Sequence, residues 1–328
     1  MCQRERGAWS CPAFSVEGGT LQDTPPITLK APAKLNLHLG VGDVRADGYH
    51  EVTTVLQALE LADEVELAPA AGLSLRCEPD LGLAAERNLA HRAAVALAGA
   101  LGRSADVTIS LRKSVPAGAG LGGGSSDAAA VLRGLARLWG LPPSAPELLE
   151  VARSLGADVP FFLYRNAALM TGRGDELVRE LDAPVIHMVL VWPRQPVPTA
   201  EAYAAFDSAR PPPAPGPERL VEALEAGEYR KVATRLHNDM TAASSALVPA
   251  ITDALALLAG ADGVLGSEMC GSGSAVFGVC ETGSAAQEAA GAARDRGWWA
   301  AATRTTGGAR TVGAAAHDDS ARDAPGRG

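Results

Sequence analysis

The spacing of apolar positions along the chain predicts a mixture of strands and helices. Val107–Leu111 alternates apolar and polar residues, as a half-buried strand does, and Val185–Trp192 is a continuous apolar run typical of a buried strand. Helical spacing of three or four positions is clearest in one apolar set: Ala128, Val131, Leu132, Leu135, Leu138 and Trp139. A further helix is expected over Arg219–Leu236. Because strands and helices do not alternate regularly, we predict an α+β fold in two halves.

The length and the composition of the two ends divide the chain. The 328 residues are enough for one large or two ordinary domains. The first residues are mixed and polar, and the last are rich in Gly, Ala, Asp and Arg, a composition that does not build a core. We therefore predict a disordered N-terminal extension at 1–26, an N-terminal domain at 27–180, a C-terminal domain at 181–306 and a disordered tail at 307–328.

Charge and cysteine content narrow the classes of function. A formal net charge of −9 disfavours nucleic acid or an anionic membrane as a general partner. The five cysteines are an odd number and include no CxxC pair, so we expect neither a disulfide framework nor a zinc site. This cysteine content fits the reducing environment of the cytoplasm. No apolar run approaches the length of a membrane span. We therefore expect a cytoplasmic protein without a nucleic-acid or membrane partner.

A glycine-rich loop at residues 116–126 is the most informative segment. Five glycines fall at positions 118, 120, 122, 123 and 124, where the missing side chains permit positive φ angles and a close approach of the backbone to a ligand. Two serines and an alanine-rich run follow, and Ser125 or Ser126 is expected to cap a helix whose N-terminus faces the loop. A glycine loop that leads into a helix N-terminus binds anions, most often phosphate. The chain is therefore expected to handle a phosphorylated ligand.

Three other interpretations of this loop are weaker. Gly118, Gly120 and Gly123 satisfy the GxGxxG dinucleotide pattern, but residues 113–116 separate them from the preceding strand, and no acidic residue lies about 20 positions on. The Walker A pattern needs Lys followed by Ser or Thr after its last glycine, and this chain has no lysine there. A flexible linker is disfavoured because a strand and a helix flank the loop.

The loop resembles the phosphate loop of the GHMP kinases, the superfamily of galactokinase, homoserine kinase and mevalonate kinase, in which it wraps the phosphates of ATP by backbone contacts. Together with the string Gly-Leu-Gly-Gly-Gly-Ser-Ser-Asp-Ala-Ala, three further segments narrow the resemblance to the 4-diphosphocytidyl-2-C-methyl-D-erythritol kinase family: Ala31–Leu37 (APAKLNL), Arg45–Glu51 (RADGYHE) and Leu155–Phe162 (LGADVPFF). All four in this order are highly specific, and the resemblance covers most of residues 27–306. The chain has Ala117 and Ala119 where a longer glycine run is common in the family.

The resemblance implies a two-domain fold and a kinase reaction. The expected fold has an N-terminal α/β domain with the phosphate loop and a C-terminal ferredoxin-like α+β domain, with the active site in the cleft between them. The implied reaction is phosphorylation by ATP, with Mg²⁺, of the 2-hydroxyl of 4-diphosphocytidyl-2-C-methyl-D-erythritol, which yields the 2-phosphate and ADP in the non-mevalonate route to isoprenoid precursors. The ligands of Mg²⁺ stay open. The implied ATP contacts are Asn88, which serves equally well as a helix N-cap, and the loop residues Pro116, Ala117, Gly118, Ala119, Gly120, Leu121, Gly122, Gly123, Gly124, Ser125 and Ser126.

The implied catalytic residues are Lys34 and Asp158. A tertiary hydroxyl is a poor nucleophile and needs a carboxylate to accept its proton, a role that suits Asp158 between Gly156 and Pro160. The migrating phosphoryl group needs a cation, and Lys34 stands in an apolar strand, where a charge is costly without a partner. Without the resemblance, Asp158 is more often a turn residue, and Lys34 is as often a solvent-facing strand residue.

The resemblance also implies how the acceptor is bound. The expected substrate-binding residues are Asn36 at the erythritol hydroxyls, Tyr49 and His50 at the cytidine, and Thr199 and Tyr203 as a hydroxyl and a second aromatic wall. Tyr203 is alternatively a core residue of its helix. The second glycine loop, Met269–Ser274, is expected to support the phosphate loop, and its Cys270 to be a buried thiol rather than a nucleophile.

Two rival functions stay open on the sequence. One is a GHMP kinase for another alcohol, such as homoserine or mevalonate, against which the Tyr49-His50 segment and Asp158 argue. The other is a nucleotide-binding regulator without catalysis, against which the presence of both Lys34 and Asp158 argues. The expected partner is the small-molecule substrate, and the expected oligomeric state is a monomer or a homodimer.

Overall fold

The computed structural model describes residues 24–164, 166–209 and 215–307, together with two short strands near the N-terminus. These strands, β1 (Gln3–Glu5) and β2 (Ala8–Ser10), pair antiparallel, with Gln3 opposite Ser10. Apart from these strands, the predicted extension at 1–26 and the predicted tail at 307–328 lie almost wholly outside the described residues.

Two long strands form the centre of the larger sheet. Over the described ranges this sheet has seven strands: β3 (Ile27–Val44), β4 (His50–Pro69), β5 (Ser74–Glu78), β6 (Val107–Arg112), β7 (Ala167–Thr171), β8 (Glu176–Glu180) and β10 (His237–Asn238). β4 pairs with β3 along most of its length, with β6 through its second half and with β7 through its first half, all antiparallel. β5 pairs parallel with β6, and β8 extends the β7 edge. β10 comes from the second half of the chain and pairs parallel with β3, so the two halves share a sheet.

Helices cover the larger sheet and bury its apolar face. They are α1 (Leu89–Ala100), α2 (Gly123–Leu138) and α3 (Pro146–Leu155), and two 3₁₀ turns, Ala85–Arg87 and Pro160–Leu163, connect them to neighbouring segments. The alanines and glycines of α2 let it pack closely on the strands. A Cβ atom at Gly134 would lie 2.3 Å from a methyl group of Leu67 and 3.0 Å from one of Leu29.

The second half of the chain folds around a four-stranded antiparallel sheet. Its strands are β9 (His187–Trp192), β11 (Val264–Met269), β12 (Val276–Cys280) and β13 (Trp299–Arg304), in the spatial order β11-β12-β9-β13. Its helices are α4 (Thr199–Ala209), α5 (Glu218–Glu225), α6 (Tyr229–Ala233), α7 (Thr241–Leu247), α8 (Ala250–Ala259) and α9 (Gly283–Asp295). If the four strands are numbered by their order in the chain, their spatial order in the sheet is 2-3-1-4. Helices lie between the first and second strands and between the third and fourth, which is the ferredoxin-like arrangement. The predicted two-part α+β fold is therefore confirmed.

Two local predictions are wrong, each because of a glycine. The helix expected over Arg219–Leu236 is two helices, α5 and α6, separated at Gly227, whose φ of 71° belongs to the left-handed region. Ser125 and Ser126 do not cap α2. Gly122 stands at the cap position with φ 72°, the helix begins at Gly123, and both serines lie inside its first turns.

The boundary between the two predicted domains stays a prediction. Besides the β10–β3 pairing, an isolated bridge joins Leu59 to Thr305, so two segments of the second half are paired with β3 and β4 of the first. Among the described residues, no helix combines the length and apolarity needed to cross a bilayer.

Candidate active site

A cleft of about 300 Å³ opens between the two halves of the molecule. Strands β3 and β4, the phosphate loop and the turn after α3 line it from the first half, and the start of α4 and the second glycine loop line it from the second half. Lys34, Asn36, Asp158, Thr199 and Tyr203, five of the residues named from sequence, all lie on its wall. The expected position of the site, between the two halves, is therefore confirmed.

The phosphate loop reaches the cleft through its backbone. Gly118, Gly120 and Gly122 adopt φ angles of 73°, 85° and 72°, a run of left-handed turns that residues with a Cβ atom rarely adopt. The first hydrogen bond of α2 runs from Ser126 N to Gly122 O at 2.9 Å. The N–H groups of the three residues between them therefore have no partner within the helix and are available to an anion. Gly120, Gly122 and Ser125 line the cleft directly.

The second glycine loop supports the phosphate loop from behind, as expected. Ala275 N donates a hydrogen bond to Ala119 O at 3.1 Å, and Cys270 N donates to Ala275 O at 2.8 Å. The two loops touch so closely that a Cβ atom at Gly120 would lie 2.5 Å from Cys270 O and 2.9 Å from Gly273 O. Cys270 is fully buried, and burial raises the pKa of its thiol, so it is a packing residue and not a nucleophile.

A buried asparagine holds the second loop in place. Asn238 in β10 donates from Nδ2 to Met269 O at 2.9 Å and to Gly271 O at 2.8 Å, and its Oδ1 accepts from Met240 N at 2.9 Å. Its neighbour Asp239 is used for structure as well, because Asp239 Oδ2 accepts a hydrogen bond from Val41 N at 2.8 Å.

Lys34 and Asp158 meet on the floor of the cleft. Lys34 Nζ lies 3.5 Å from Asp158 Oδ2, and the lysine side chain is only 4% exposed whereas the aspartate side chain is 38% exposed. Lys34 is held from both ends, since its backbone N–H donates to Leu121 O at 2.9 Å and its Nζ donates to Asn36 Oδ1 at 2.9 Å. Lys34 thereby joins β3 to the phosphate loop. The partly exposed Asp158 carboxylate faces the open side of the cleft.

A chain of hydrogen bonds fixes Asn36 beside this pair. Asn36 Nδ2 donates to Thr54 Oγ1 at 2.9 Å, and Thr54 Oγ1 donates to His38 O at 2.7 Å. Thr54 is a cleft residue that the sequence did not single out, because it lies on β4, which carries no motif at that position. The amide oxygen of Asn36 must point to Lys34, since its nitrogen is the only group that can donate to Thr54.

Tyr203 is the aromatic residue that lines the cleft, and the His50 side chain, 9% exposed, packs against its ring without lining the cleft. The rings of His50 and Tyr203 stack with centroids 5.1 Å apart and an interplanar angle of 25°. His50 is fixed by Nδ1 at 2.9 Å from Gly42 O and by Nε2 at 3.2 Å from Asp207 Oδ1. Burial, and to a smaller degree the nearby Asp158 carboxylate, raises the pKa of the Tyr203 phenol, so the hydroxyl stays protonated.

Of three further residues named from sequence, Thr199 lines the cleft, whereas Tyr49 and Asn88 do not. Tyr49 is 57% exposed and does not line it, although the Arg173 guanidinium lies 5.1 Å from its ring. Thr199 opens α4, with its Oγ1 3.1 Å from Ser272 Oγ. Asn88 caps α1, since its Oδ1 accepts a hydrogen bond from Ala90 N at 2.9 Å, and it does not line the cleft.

A buried charge cluster anchors both ends of the phosphate loop, and sequence reasoning missed it. Lys113 Nζ contacts one carboxylate oxygen of Asp63 and one of Asp127, and all three side chains are buried. Asp63 Oδ1 also accepts from Val115 N at 2.8 Å. The loop is therefore pinned to β4 at residues 113–115 and to α2 at Asp127. Burial, with the neighbouring Asp63 carboxylate, raises the pKa of Asp127 to about 7 against the opposing effect of Lys113.

Comparison with known proteins gives one consistent family. The GHMP kinases N terminal domain matches residues 88–166, and the GHMP kinases C terminal region matches residues 220–297. Proteins named 4-diphosphocytidyl-2-C-methyl-D-erythritol kinase are similar over 80% of this chain. The one from Nocardia farcinica is 40% identical with 87% of its length covered, and the one from Mycobacterium avium is 41% identical with 85% covered.

Solved structures agree with the sequence relatives. A crystal structure of 4-(cytidine 5'-diphospho)-2C-methyl-D-erythritol kinase superposes with a TM-score of 0.73 at 37% identity, covering 86% of this chain and all of that one. A homoserine kinase from Cytophaga hutchinsonii has a TM-score of 0.66 at 20% identity, covering 87% of this chain and 96% of that one. The second likeness concerns the fold alone.

Proposed function

The chain belongs to the 4-diphosphocytidyl-2-C-methyl-D-erythritol kinase family of GHMP kinases, and from this premise we propose that it phosphorylates the 2-hydroxyl of 4-diphosphocytidyl-2-C-methyl-D-erythritol at the expense of ATP. The products are the 2-phosphate and ADP, and the reaction belongs to the non-mevalonate route to isoprenoid precursors. The observation that carries the proposal is the Lys34–Asp158 pair, which faces a cleft shared by the phosphate loop and the His50–Tyr203 stack.

Asp158 is the proton acceptor in this proposal. Its carboxylate is partly exposed to the cleft, where an acceptor hydroxyl can reach it, and Lys34 Nζ lies 3.5 Å from its Oδ2. As the hydroxyl oxygen forms its bond to the γ-phosphorus, its proton passes to the Asp158 carboxylate and the bond from the γ-phosphorus to the β,γ-bridging oxygen breaks.

Lys34 is the electrostatic partner of the transferring group. Its burial and its bonds to Asn36 and Leu121 leave it little freedom, so its charge is in position before the substrates bind. A cation fixed in advance costs no reorganisation when charge moves from donor to acceptor. Lys34 thus orients Asp158 and offsets the charge that develops on the phosphoryl oxygens.

The residues on the cleft fit Mg²⁺ to a limited degree. Ser125 and Asp158 offer hard oxygen donors there, and Ser126 Oγ is a buried oxygen without a hydrogen-bond partner among the described residues. No group of three or more His, Cys, Asp or Glu that can hold a metal occurs in that part of the chain. We propose that phosphate oxygens and water supply most ligands of Mg²⁺, with Ser125 as the protein ligand. When bound, the ion neutralises phosphate charge.

Acceptor recognition is assigned to the remaining wall of the cleft. Tyr203, on which His50 stacks, offers a flat aromatic surface for the pyrimidine, while Asn36 and Thr199 offer polar groups to the hydroxyls and phosphates. Cys77, Cys270 and Cys280 are free thiols, which supports a cytoplasmic location. Absence of a nucleic-acid partner and a monomeric or homodimeric state stay predictions.

The direct test is an ADP-release assay with three alcohols in parallel: the diphosphocytidyl methylerythritol, homoserine and mevalonate. We expect ADP only with the first, and a ³¹P NMR signal for a new phosphomonoester on the tertiary carbon. ADP released with homoserine or mevalonate instead would assign the chain to another alcohol. No ADP with any of them would favour a nucleotide-binding regulator.

A further inference from the structure

One cation on the wall of the cleft has no role in the chemistry described so far. Arg173 lies in the tight turn between β7 and β8, and it lines the same cleft as Lys34 and Asp158. Among the described residues that line the cleft, Lys34 and Arg173 are the only Lys or Arg side chains. Lys34 contacts Asp158 and Asn36 and is assigned to the transferring phosphoryl group. Arg173 is therefore the cation that can bind a further anionic group of a substrate.

The turn that carries Arg173 is fixed to the start of β4. Gly172 N donates to Glu51 Oε1 at 2.9 Å, and Val52 N donates to Gly172 O at 2.7 Å. These bonds join the turn to the strand that begins with His50, at the end of the cleft assigned to the cytidine. Arg173 is therefore next to the acceptor end of the cleft, and its guanidinium lies 5.1 Å from the ring of Tyr49.

Hydrogen bonds hold the Arg173 guanidinium in position but occupy only part of its N–H donors. Arg173 Nη2 donates to Asp175 Oδ2 at 2.7 Å and lies 3.5 Å from Arg153 O, and the backbone N–H of Arg173 donates to Asp175 Oδ1 at 3.1 Å. Nε and Nη1 make no hydrogen bond to any residue that the structure describes. The Asp175 hydrogen bond raises the pKa of Arg173, and the side chain is 27% exposed.

We infer that Arg173 binds the diphosphate group of the acceptor substrate. The inference rests on the proposed function, in which a nucleoside diphosphate ester must span the cleft from the aromatic stack to the Lys34–Asp158 pair. Its diphosphate carries negative charge between these two ends, in a protein whose own net charge is −9. A guanidinium fork with free donors matches two phosphate oxygens, and its stacking contact with Tyr49 limits the entropy lost on binding.

The test compares ligands that differ only in the diphosphate. Calorimetry measures the dissociation constants of CDP and of cytidine for the full chain, with a non-hydrolysable ATP analogue and Mg²⁺ present at saturation to occupy the donor site. For the wild type we expect CDP to bind about 10- to 100-fold more tightly than cytidine, as for a charge-assisted hydrogen-bond pair. In Arg173→Met we expect that ratio to fall below about threefold, with cytidine affinity unchanged.

Two further variants separate binding from folding. Asp175 is buried, so Arg173→Met leaves a carboxylate without its partner, and the double variant Arg173→Met with Asp175→Asn removes that charge. Arg179→Met is the matched control, because Arg179 also pairs with a carboxylate, that of Glu225, but does not line the cleft. In steady-state turnover, Arg173→Met raises the KM for the diphosphocytidyl alcohol about 10- to 100-fold and leaves kcat and the KM for ATP within about threefold, whereas Arg179→Met changes none of them.

The outcomes are distinct. An unchanged CDP-to-cytidine ratio in both Arg173→Met and the double variant overturns the inference, and so does a rise in the KM for ATP alone, which would place the anion on the donor side. If wild type turns over the diphosphocytidyl alcohol while Arg173→Met behaves identically, only the role of Arg173 fails. If wild type neither binds CDP or cytidine nor turns over that alcohol, the proposed function fails and the inference falls with it.

Discussion

The contact between the two glycine loops makes Gly120 the most sensitive position of the phosphate loop. In Gly120→Ala, the added methyl group would lie 2.5 Å from Cys270 O, and ordinary contact begins at 3.4 Å, so the two backbones must separate by about 0.9 Å. The residue must also keep a φ of 85°, which costs an L-residue about 1–2 kcal/mol. Because Cys270 is itself fixed by Ala275 and by the loop bonds of Asn238, the phosphate loop is the part that moves.

A displacement of about 1 Å at the donor site is expected to cost about 10²-fold in kcat/KM for ATP, or about 2.7 kcal/mol of transition-state stabilisation. The assay is coupled ADP release with ATP as the varied substrate, together with denaturant unfolding of each protein. Gly291→Ala is the matched control, because no atom lies within 4 Å of its added methyl group and the residue is inside helix α9, outside the cleft. That variant should keep kcat/KM within about threefold and gain about 0.5–1 kcal/mol in stability. A folded Gly120→Ala protein with wild-type kcat/KM would refute this account of the loop contact.

Three further predictions follow from other parts of the site. Lys34→Ala should lower kcat by about 10²- to 10³-fold while the protein stays folded, and a variant with wild-type kcat would remove Lys34 from the reaction. Tyr203→Ala should raise the KM for the acceptor by about tenfold through lost stacking, whereas Tyr203→Phe should stay within about threefold, and equal effects of both would contradict a stacking role. Folding raises the pKa of Asp127 from 3.8 to about 7, so this group holds more protons in the folded state between these pH values, and its contribution to stability falls as pH rises through them. The free energy of unfolding of Asp127→Asn, relative to that of wild type, should therefore be higher at pH 8 than at pH 5. A difference between the two proteins that does not change with pH would contradict this prediction.

The parts of the site that sequence reasoning found are those that lie in contiguous motifs. The phosphate loop, the strand around Lys34 and the turn around Asp158 each carry enough local pattern to be recognised, and they meet in one cleft. The pairing of Lys34 with Asp158 depends on β3, α2 and the turn after α3 packing together, and it could be proposed from sequence only through the family resemblance.

The parts that sequence reasoning missed depend on tertiary contacts between distant positions. Asp63 lies on β4 and Lys113 directly follows β6, with no motif around either, and only the antiparallel pairing of β4 with β6 brings them to Asp127. Arg173 lies in a short turn whose sequence carries no signal for phosphate. The serine cap was mispredicted because propensity at the helix start favours a hydroxyl, whereas the chain needs the left-handed φ of Gly122 to turn from the loop into α2.

The role of Asp158 as proton acceptor is the centre of this account, and Asp158→Asn tests it most directly. The variant keeps the size of the side chain and removes the negative charge that accepts the proton and that pairs with Lys34. Single-turnover formation of ADP should fall by about 10²- to 10⁴-fold, while the dissociation constant for a non-hydrolysable ATP analogue stays within about threefold of wild type. The exposed Asp253→Asn, on α8, serves as the matched control and should keep wild-type turnover. An Asp158→Asn protein that forms ADP within about threefold of the wild-type rate would contradict the account.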